Sequence, residues 1–232
     1  MDLTIFSGGA AQAVVHHLQQ DFEQTHSCTL AATFGAVGVM RDKVLAGETC
    51  DVLILSAALI SQLAQQDQVV QGSLRAIGTV ATGIAVPEGA PALAVHTSDS
   101  LKAALTAATG IYVPDLLRST AGIHIASMLK SLGIDQIVAD RLHEYPNGAT
   151  AMRELAQKGG DGAIGCTQVT EIMYTPGVTL VGVLPPEFAL TTVYTAAVCG
   201  HARQPTLAAA FVQALCANES LGFRTQSGFG RV

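Results

Sequence analysis

Leu3-Thr4-Ile5-Phe6-Ser7-Gly8-Gly9-Ala10, followed by a helical pattern through Phe22, is the stretch that decides the fold. Strand-prone residues run straight into two glycines, and Val14, Leu18 and Phe22 then recur at i, i+4 and i+8 on one helical face. The reading is strand, tight turn, helix. A helix that starts at such a turn presents unpaired backbone N–H groups and the positive end of its dipole at the carboxyl edge of a sheet, where anions bind.

The same grammar repeats downstream. Thr29 to Phe34 reads as a strand ending in Gly35-Ala36-Val37-Gly38, before a helix carrying Met40, Lys43 and Val44. Asp51-Val52-Leu53-Ile54-Leu55 is a continuous apolar strand of the kind buried on both faces, with Ser56-Ala57-Ala58 opening the helix Leu59 to Gln66. Three βα units in succession predict an α/β fold with a parallel sheet and a ligand site beyond the carboxyl ends of its strands.

Leu74 to Val86 is longer than an ordinary strand and contains Gly78 and Gly83, and Thr191 to Cys199 is its natural companion. Two such strands can carry the chain out of one lobe and back. The expected division is 1–84 with 192–232 as a discontinuous first lobe and 85–191 as the second, with a cleft between them. In the second lobe a helix is expected from Leu101 to Ala108, a strand over Ile111 to Val113, and a helix headed by Arg118-Ser119-Thr120-Ala121-Gly122. Ile134 to Leu142 reads as a further helix and His143 to Gly148 as a loop. Asn147 is a good N-cap for a helix over Ala149 to Lys158, and Ala163-Ile164-Gly165 is a short strand delivering Cys166-Thr167-Gln168 to the sheet edge. Val178 to Leu184 is another strand, and Pro205 to Cys216 and Asn218 to Gln226 are helices.

Composition narrows the partners. Nearly half of the 232 residues are hydrophobic and 13% are charged, which fits a packed protein and excludes a disordered one. The net charge is −6, with no basic cluster, so neither nucleic acid nor an anionic membrane is an expected partner. No apolar run approaches the ~18 residues of a membrane span. Met1 as a native start implies a cytoplasmic protein, and a trimmed signal peptide a periplasmic one. The cysteines, Cys28, Cys50, Cys166, Cys199 and Cys216, form no CxxC pair, and their odd number leaves a free thiol. No P-loop lysine, dinucleotide fingerprint, nucleophile elbow or metal-ligand spacing is present, so no cofactor and no metal are expected.

Taken in order, Phe6-Ser7-Gly8-Gly9-Ala10, Phe34-Gly35-Ala36-Val37-Gly38, Asp51-Val52-Leu53-Ile54, Ala85-Val86-Pro87-Glu88-Gly89-Ala90-Pro91, Asp161-Gly162-Ala163-Ile164 and the ending Phe211 to Phe229 resemble the molybdate-binding proteins of ABC transporters, within the wider type II periplasmic binding proteins. The resemblance implies a two-lobed fold, each lobe a mostly parallel sheet flanked by helices and joined by two crossover strands. It also implies a monomer that hands its ligand to an ABC transporter permease. Where that family holds an oxyanion with serine hydroxyls this chain has Ala10 and Val37, and Cys166 stands at the tyrosine position, while Ser119-Thr120-Ala121-Gly122 fits the helix-start contact. The Gly-rich first turn and Tyr145-Pro146-Asn147-Gly148 are similar to a diverged branch that includes aconitate isomerase, which implies an organic carboxylate as ligand.

The candidate binding residues are therefore Ser7, Gly8, Gly9, Ala10, Gly35, Ala36, Val37, Arg118, Ser119, Thr120, Ala121, Asn147, Gly148, Cys166 and Thr167. Arg118 can clamp a carboxylate in bidentate fashion, with a solvated arginine as the plain alternative. If the chain is an isomerase, Cys166 and His124 are the candidate acid and base: a thiol near a helix start is acidified, and a histidine one turn inside a helix can move a proton, with a buried inert cysteine and a packing or surface histidine as the commoner alternatives. The expectation is a binding protein for a small anionic ligand; an isomerase of a small tricarboxylate and a cytoplasmic ligand-sensing module are the alternatives.

Overall fold

The structure, a computed structural model, describes residues 2–91 and 93–232. The chain folds into two compact units, one formed by Met1–Val80 with Thr192–Val232 and the other by Ala81–Thr191.

The first unit begins with β1 (Asp2–Gly8), a 3-10 turn (Gly9–Ala11) and α1 (Gln12–His26). The glycine turn thus opens a helical segment at once, but as a tight 3-10 turn before the α-helix. Next come β2 (Thr29–Gly35), α2 (Val37–Leu45), β3 (Val52–Ser56), α3 (Ala57–Ala64) and β4 (Arg75–Pro87), which begins in this unit and ends in the other. The second unit continues with α4 (Ser98–Ala107), β5 (Gly110–Pro114), α5 (Thr120–Ser131), β6 (Leu142–Tyr145), α6 (Gly148–Lys158), β7 (Ala163–Gln168), α7 (Val169–Tyr174) and β8 (Val178–Val183). β9 (Thr191–Val198), α8 (Pro205–Cys216) and α9 (Leu221–Gln226) complete the first unit.

The first unit's sheet runs β2-β1-β3-β9-β4. β1 is parallel to both β2 and β3, whereas β9 returns antiparallel to β3. Every residue of β3 is buried, as its apolar run from Val52 to Leu55 requires. Leu3, Ile5, Val14, Leu53, Ile60 and Phe211 are among the side chains of this core. In the second unit, β5 lies parallel between β6 and β7, and the outer part of β4 pairs antiparallel with β7 on one side and β8 on the other. One face carries a core built on Ile84, Ile111, Ile125 and Cys166; the other packs Met152 and Leu155 of α6 against Ala163 and Ala85. Both sheets are therefore parallel at the centre of their βα units and antiparallel at the strands that pass between units.

Two segments differ from the sequence reading. Ile134 to Leu142 is not a helix: Ile134 and Val138 are fully buried and linked by one helical-type bond (3.0 Å), and a 3-10 turn (Ala139–Arg141) follows. The i, i+4 apolar spacing that suggests a helix here serves a single turn over the core. His143 to Tyr145 is not loop but the strand β6, because pairing with β5 from Ile111 opposite Leu142 to Pro114 opposite Tyr145 satisfies its backbone. The Tyr112 and Tyr145 rings stack across that pair with centroids 6.0 Å apart.

Candidate functional site

In the first unit the sequence-selected residues gather at the carboxyl ends of β1 and β2. Gly8 and Gly35 are partners in the parallel ladder, and a Cβ on Gly8 would stand 2.8 Å from Val37 Cγ1 and 3.0 Å from the Tyr194 ring. A Cβ on Gly35 would meet Met40 Cε at 2.7 Å. At Gly8 the β-branched Val37 and the Tyr194 ring leave little room for a side chain, whereas at Gly35 the flexible end of Met40 could move aside. Gly9, Ala10, Ala36 and Val37 are all buried. Ser7 is buried too, and its hydroxyl donates to the Gly8 carbonyl at 2.9 Å, so it serves the turn. Ala36, ahead of α2, and Ser56, ahead of α3, provide no side-chain cap. The first-turn N–H groups of these helices, which have no acceptor inside the helix, are the polar groups this edge can offer an anion. Tyr194, whose ring covers Gly8, was not apparent from local sequence, since only the pairing of β9 with β3 brings it there.

In the second unit, two helix starts meet the carboxyl ends of β5 and β7, and they differ. At α5, the Ser119 hydroxyl accepts weakly from Gly122 N–H at 3.4 Å. Asp115 Oδ1 takes the N–H groups of Leu117 and Arg118 at 2.9 and 2.8 Å, holding the preceding loop as an Asx turn. The first-turn N–H groups of Thr120 and Ala121 have no acceptor within the helix. Arg118 is exposed beside them and, among the described residues, forms no ion pair. Leu117, next to it, is 83% exposed.

At α6 a carboxyl group of the protein itself already occupies the helix start. Asn147 caps the helix, accepting from Thr150 N–H at 2.8 Å, as its position in the sequence implies. Glu171, from the first turn of α7, lies buried against the same helix start. The Thr167 hydroxyl donates to its Oε2 at 2.6 Å, and the backbone N–H groups of Ala149, Gly148 and Gln168 also donate to the carboxyl group. A Cβ on Gly148 would stand 2.0 Å from both Glu171 Oε2 and Thr167 Oγ1. Asn147, Gly148 and Thr167, expected as ligand contacts, thus gather around the protein's own carboxyl group. Glu171 was overlooked because neither α7 nor the destination of one acidic residue in Val169-Thr170-Glu171-Ile172 is marked locally.

Burial raises the Glu171 pKa above the usual carboxylate value of 4.5, and the Thr167, Ala149, Gly148 and Gln168 hydrogen bonds only partly offset it. The folded chain therefore holds this proton more tightly than the unfolded chain. Its contribution to stability is greatest below pH ~4.5 and declines as pH rises through the folded value. Melting temperatures of the wild type and Glu171→Gln, compared from pH 4 to 8, should show the wild type losing ground as pH rises; a constant difference would refute this linkage.

Cys166 corrects the sequence reading. It lies inside β7 opposite Ile84, fully buried, and burial pushes its thiol up to about 12. The acidified thiol expected at a helix start is absent because the strand runs on through Gln168, leaving Cys166 two residues short of α7. His124 is half-buried, with Nε2 2.8 Å from the Phe188 carbonyl, a contact in which that nitrogen carries the proton and donates. Cys166 and Thr167, adjacent in one strand, face opposite sides of the sheet. Arg41, in α2, is paired with Asp42 at 2.7 Å. Among the described residues no group of three His, Cys, Asp or Glu is placed to hold a metal ion.

Comparison with known proteins fits this architecture. A curated aconitate isomerase from Pseudomonas sp. is 23% identical over 235 residues, spanning 97% of this chain and 86% of the relative. The periplasmic molybdate-binding protein of Azotobacter vinelandii superposes with a TM-score of 0.78 at 14% identity, over 98% of both chains. The sulfate-binding protein of Mycobacterium tuberculosis gives 0.72 at 18% identity, over 100% of this chain and 87% of that one. These solved structures share the type II periplasmic-binding-protein fold. The family model for bacterial extracellular solute-binding proteins matches residues 3–230, and the chain belongs to that family.

Proposed function

We propose that this solute-binding protein takes a small organic carboxylate, held mainly by backbone N–H groups at helix starts, and delivers it to an ABC transporter permease. The observation that carries this reading is the α5 start: first-turn N–H groups at Thr120 and Ala121 with no acceptor inside the helix, preceded in the chain by the exposed Arg118, which forms no ion pair among the described residues. The first unit's turns offer buried Ala10 and Val37 where the oxyanion-binding resemblance implies hydroxyl donors. Each missing hydrogen bond to a charged ligand removes about 1.5–3 kcal/mol, which disfavours a compact inorganic dianion relative to a carboxylate that an arginine can clamp.

Small carboxylates should raise the melting temperature, and molybdate, tungstate and sulfate at equal concentration should not, because only a ligand that binds the native state stabilises it. Micromolar molybdate affinity by calorimetry would overturn the ligand class.

The aconitate isomerase relative supports a second reading, an isomerase on the same scaffold. Against it stand the two candidate groups themselves. Cys166 is buried with a raised pKa, and His124 Nε2 is engaged by a backbone carbonyl. Trans-aconitate incubated with the protein should be recovered unchanged by NMR; steady conversion to the cis isomer would favour the enzyme.

A further inference from the structure

Beside the α5 and α6 starts, the carboxyl end of β7 holds polar groups that the protein does not satisfy. Gln168, the last residue of β7, is 2% exposed, and neither its Oε1 nor its Nε2 has a hydrogen-bond partner among the described residues. Directly opposite it in the ladder is Thr82, 1% exposed, whose hydroxyl is also unpaired. Thr170, two residues beyond Gln168, is 1% exposed and carries a third unpaired hydroxyl. Buried amides and hydroxyls normally find partners, and leaving one without costs about 1–3 kcal/mol.

The ladder fixes how two of these groups meet. Thr82 N–H donates to the Leu190 carbonyl at 3.0 Å and its carbonyl accepts from Leu184 N–H at 3.1 Å, both away from β7. Thr82 and Gln168 therefore face each other as a non-hydrogen-bonded pair, the geometry in which cross-strand side chains come closest. Two residues along, the Ile84–Cys166 pair is the apolar rung on the same face. The polar rung thus crowns an apolar core at the carboxyl end of a parallel strand, where α/β sheets bind ligands. Neither side chain takes the other as a partner, nor any other group among the described residues, so both are open to a polar atom brought by a ligand.

We propose that Gln168 and Thr82 form a subsite for a hydroxyl group carried by the ligand, which makes the ligand a hydroxycarboxylate; this rests on the carboxylate reading above. The amide supplies one end that only accepts and one that only donates. A hydroxyl satisfies both, donating to Oε1 and accepting from Nε2 or from the Thr82 hydroxyl. A second carboxylate would set its oxygens against Oε1. The Glu171 carboxylate is bound to Thr167, whose side chain leaves the opposite face of the strand, so the rung itself contains only neutral groups.

The test is calorimetry with two matched pairs of acids, malate against succinate and citrate against tricarballylate, on the wild type, Gln168→Met and Thr82→Val. The wild type should prefer the hydroxylated member of a pair it binds by at least about ten-fold, since the deoxy acid leaves the buried groups unpaired. Both variants should bring the two members within about two-fold, with ligand-free melting temperatures no lower than the wild type's, because each removes an unsatisfied polar group. Equal wild-type affinities within a bound pair, a preference that survives both substitutions, or folded variants that lose both members of a pair would overturn the subsite while leaving the carboxylate reading standing. Binding of none of the four acids, nor of any carboxylate in the thermal panel, would remove that reading and the subsite with it.

Discussion

Gly122→Ala is expected to lower stability by about 3 kcal/mol, the upper end of ordinary overpacking costs, and the melting temperature by about 6–12 °C. Gly122 is in the first turn of α5, and a Cβ there would stand 2.0 Å from the Asp115 carbonyl oxygen, 2.7 Å from its carbon and 2.9 Å from the Pro114 carbonyl oxygen. All three atoms are backbone, so no side-chain rotation relieves the clash. The helix start must lift away from the end of β5, taking the Thr120 and Ala121 N–H groups with it. Carboxylate affinity should fall together with stability. Thermal and urea unfolding check the first effect, calorimetry the second, and a melting temperature within about 2 °C of wild type would show that the turn yields more easily than its geometry implies.

Arg224→Ala should cost at least about 4 kcal/mol, because buried carbonyls left unpaired cost about 1–3 kcal/mol each. Arg224, in α9, is almost fully buried and donates to the carbonyls of Ile77, Cys216 and Ala217 and to the Ser220 hydroxyl. No carboxylate lies within ion-pair reach of it among the described residues. The charge is instead matched by the carbonyls at the end of α8, the negative pole of that helix, and by the edge of β4. One side chain therefore fastens both terminal helices to the sheet. Arg224→Lys should recover less than half of the loss, since an ammonium cannot span these acceptors as a planar fork does. Urea midpoints for the three proteins decide the matter.

How much of this was legible in the sequence depends on how local each determinant is. β1, the start of the first helix, β3 and the Asn147 cap are set by neighbouring residues and lie within a residue or two of the pattern, while the first helix runs on past Phe22 to His26. β6 was missed because Ile134, Val138 and Leu142 keep helical spacing while the competing interaction, pairing with Ile111 to Pro114, lies far away in the chain. For Cys166 the sequence leaves an acidified thiol and a buried inert one both open, and what decides for the second is burial opposite Ile84, a contact that its own neighbourhood does not encode. Glu171 and Thr82 were overlooked altogether, and Gln168, expected at the sheet edge, was not among the candidate binding residues. Each is a polar residue in an unremarkable segment, and its meaning arises only when strand ends and helix starts from three separate stretches converge.

The split composition of the first unit also bears on how the chain is made on the ribosome. Its sheet places β9 between β3 and β4, so a central strand, together with α8 and α9, arrives after the whole of Ala81–Thr191 has been synthesised. The second unit is one continuous segment, its share of β4 included, and can close as it emerges, whereas β3, apolar from Val52 to Leu55, waits with one edge unpaired. An open apolar edge on a nascent chain is a template for wrong pairing. Slow translation of the segment before Thr192 would prolong that exposure, and a holdase that shields the β3 edge would shorten the list of wrong partners it can meet.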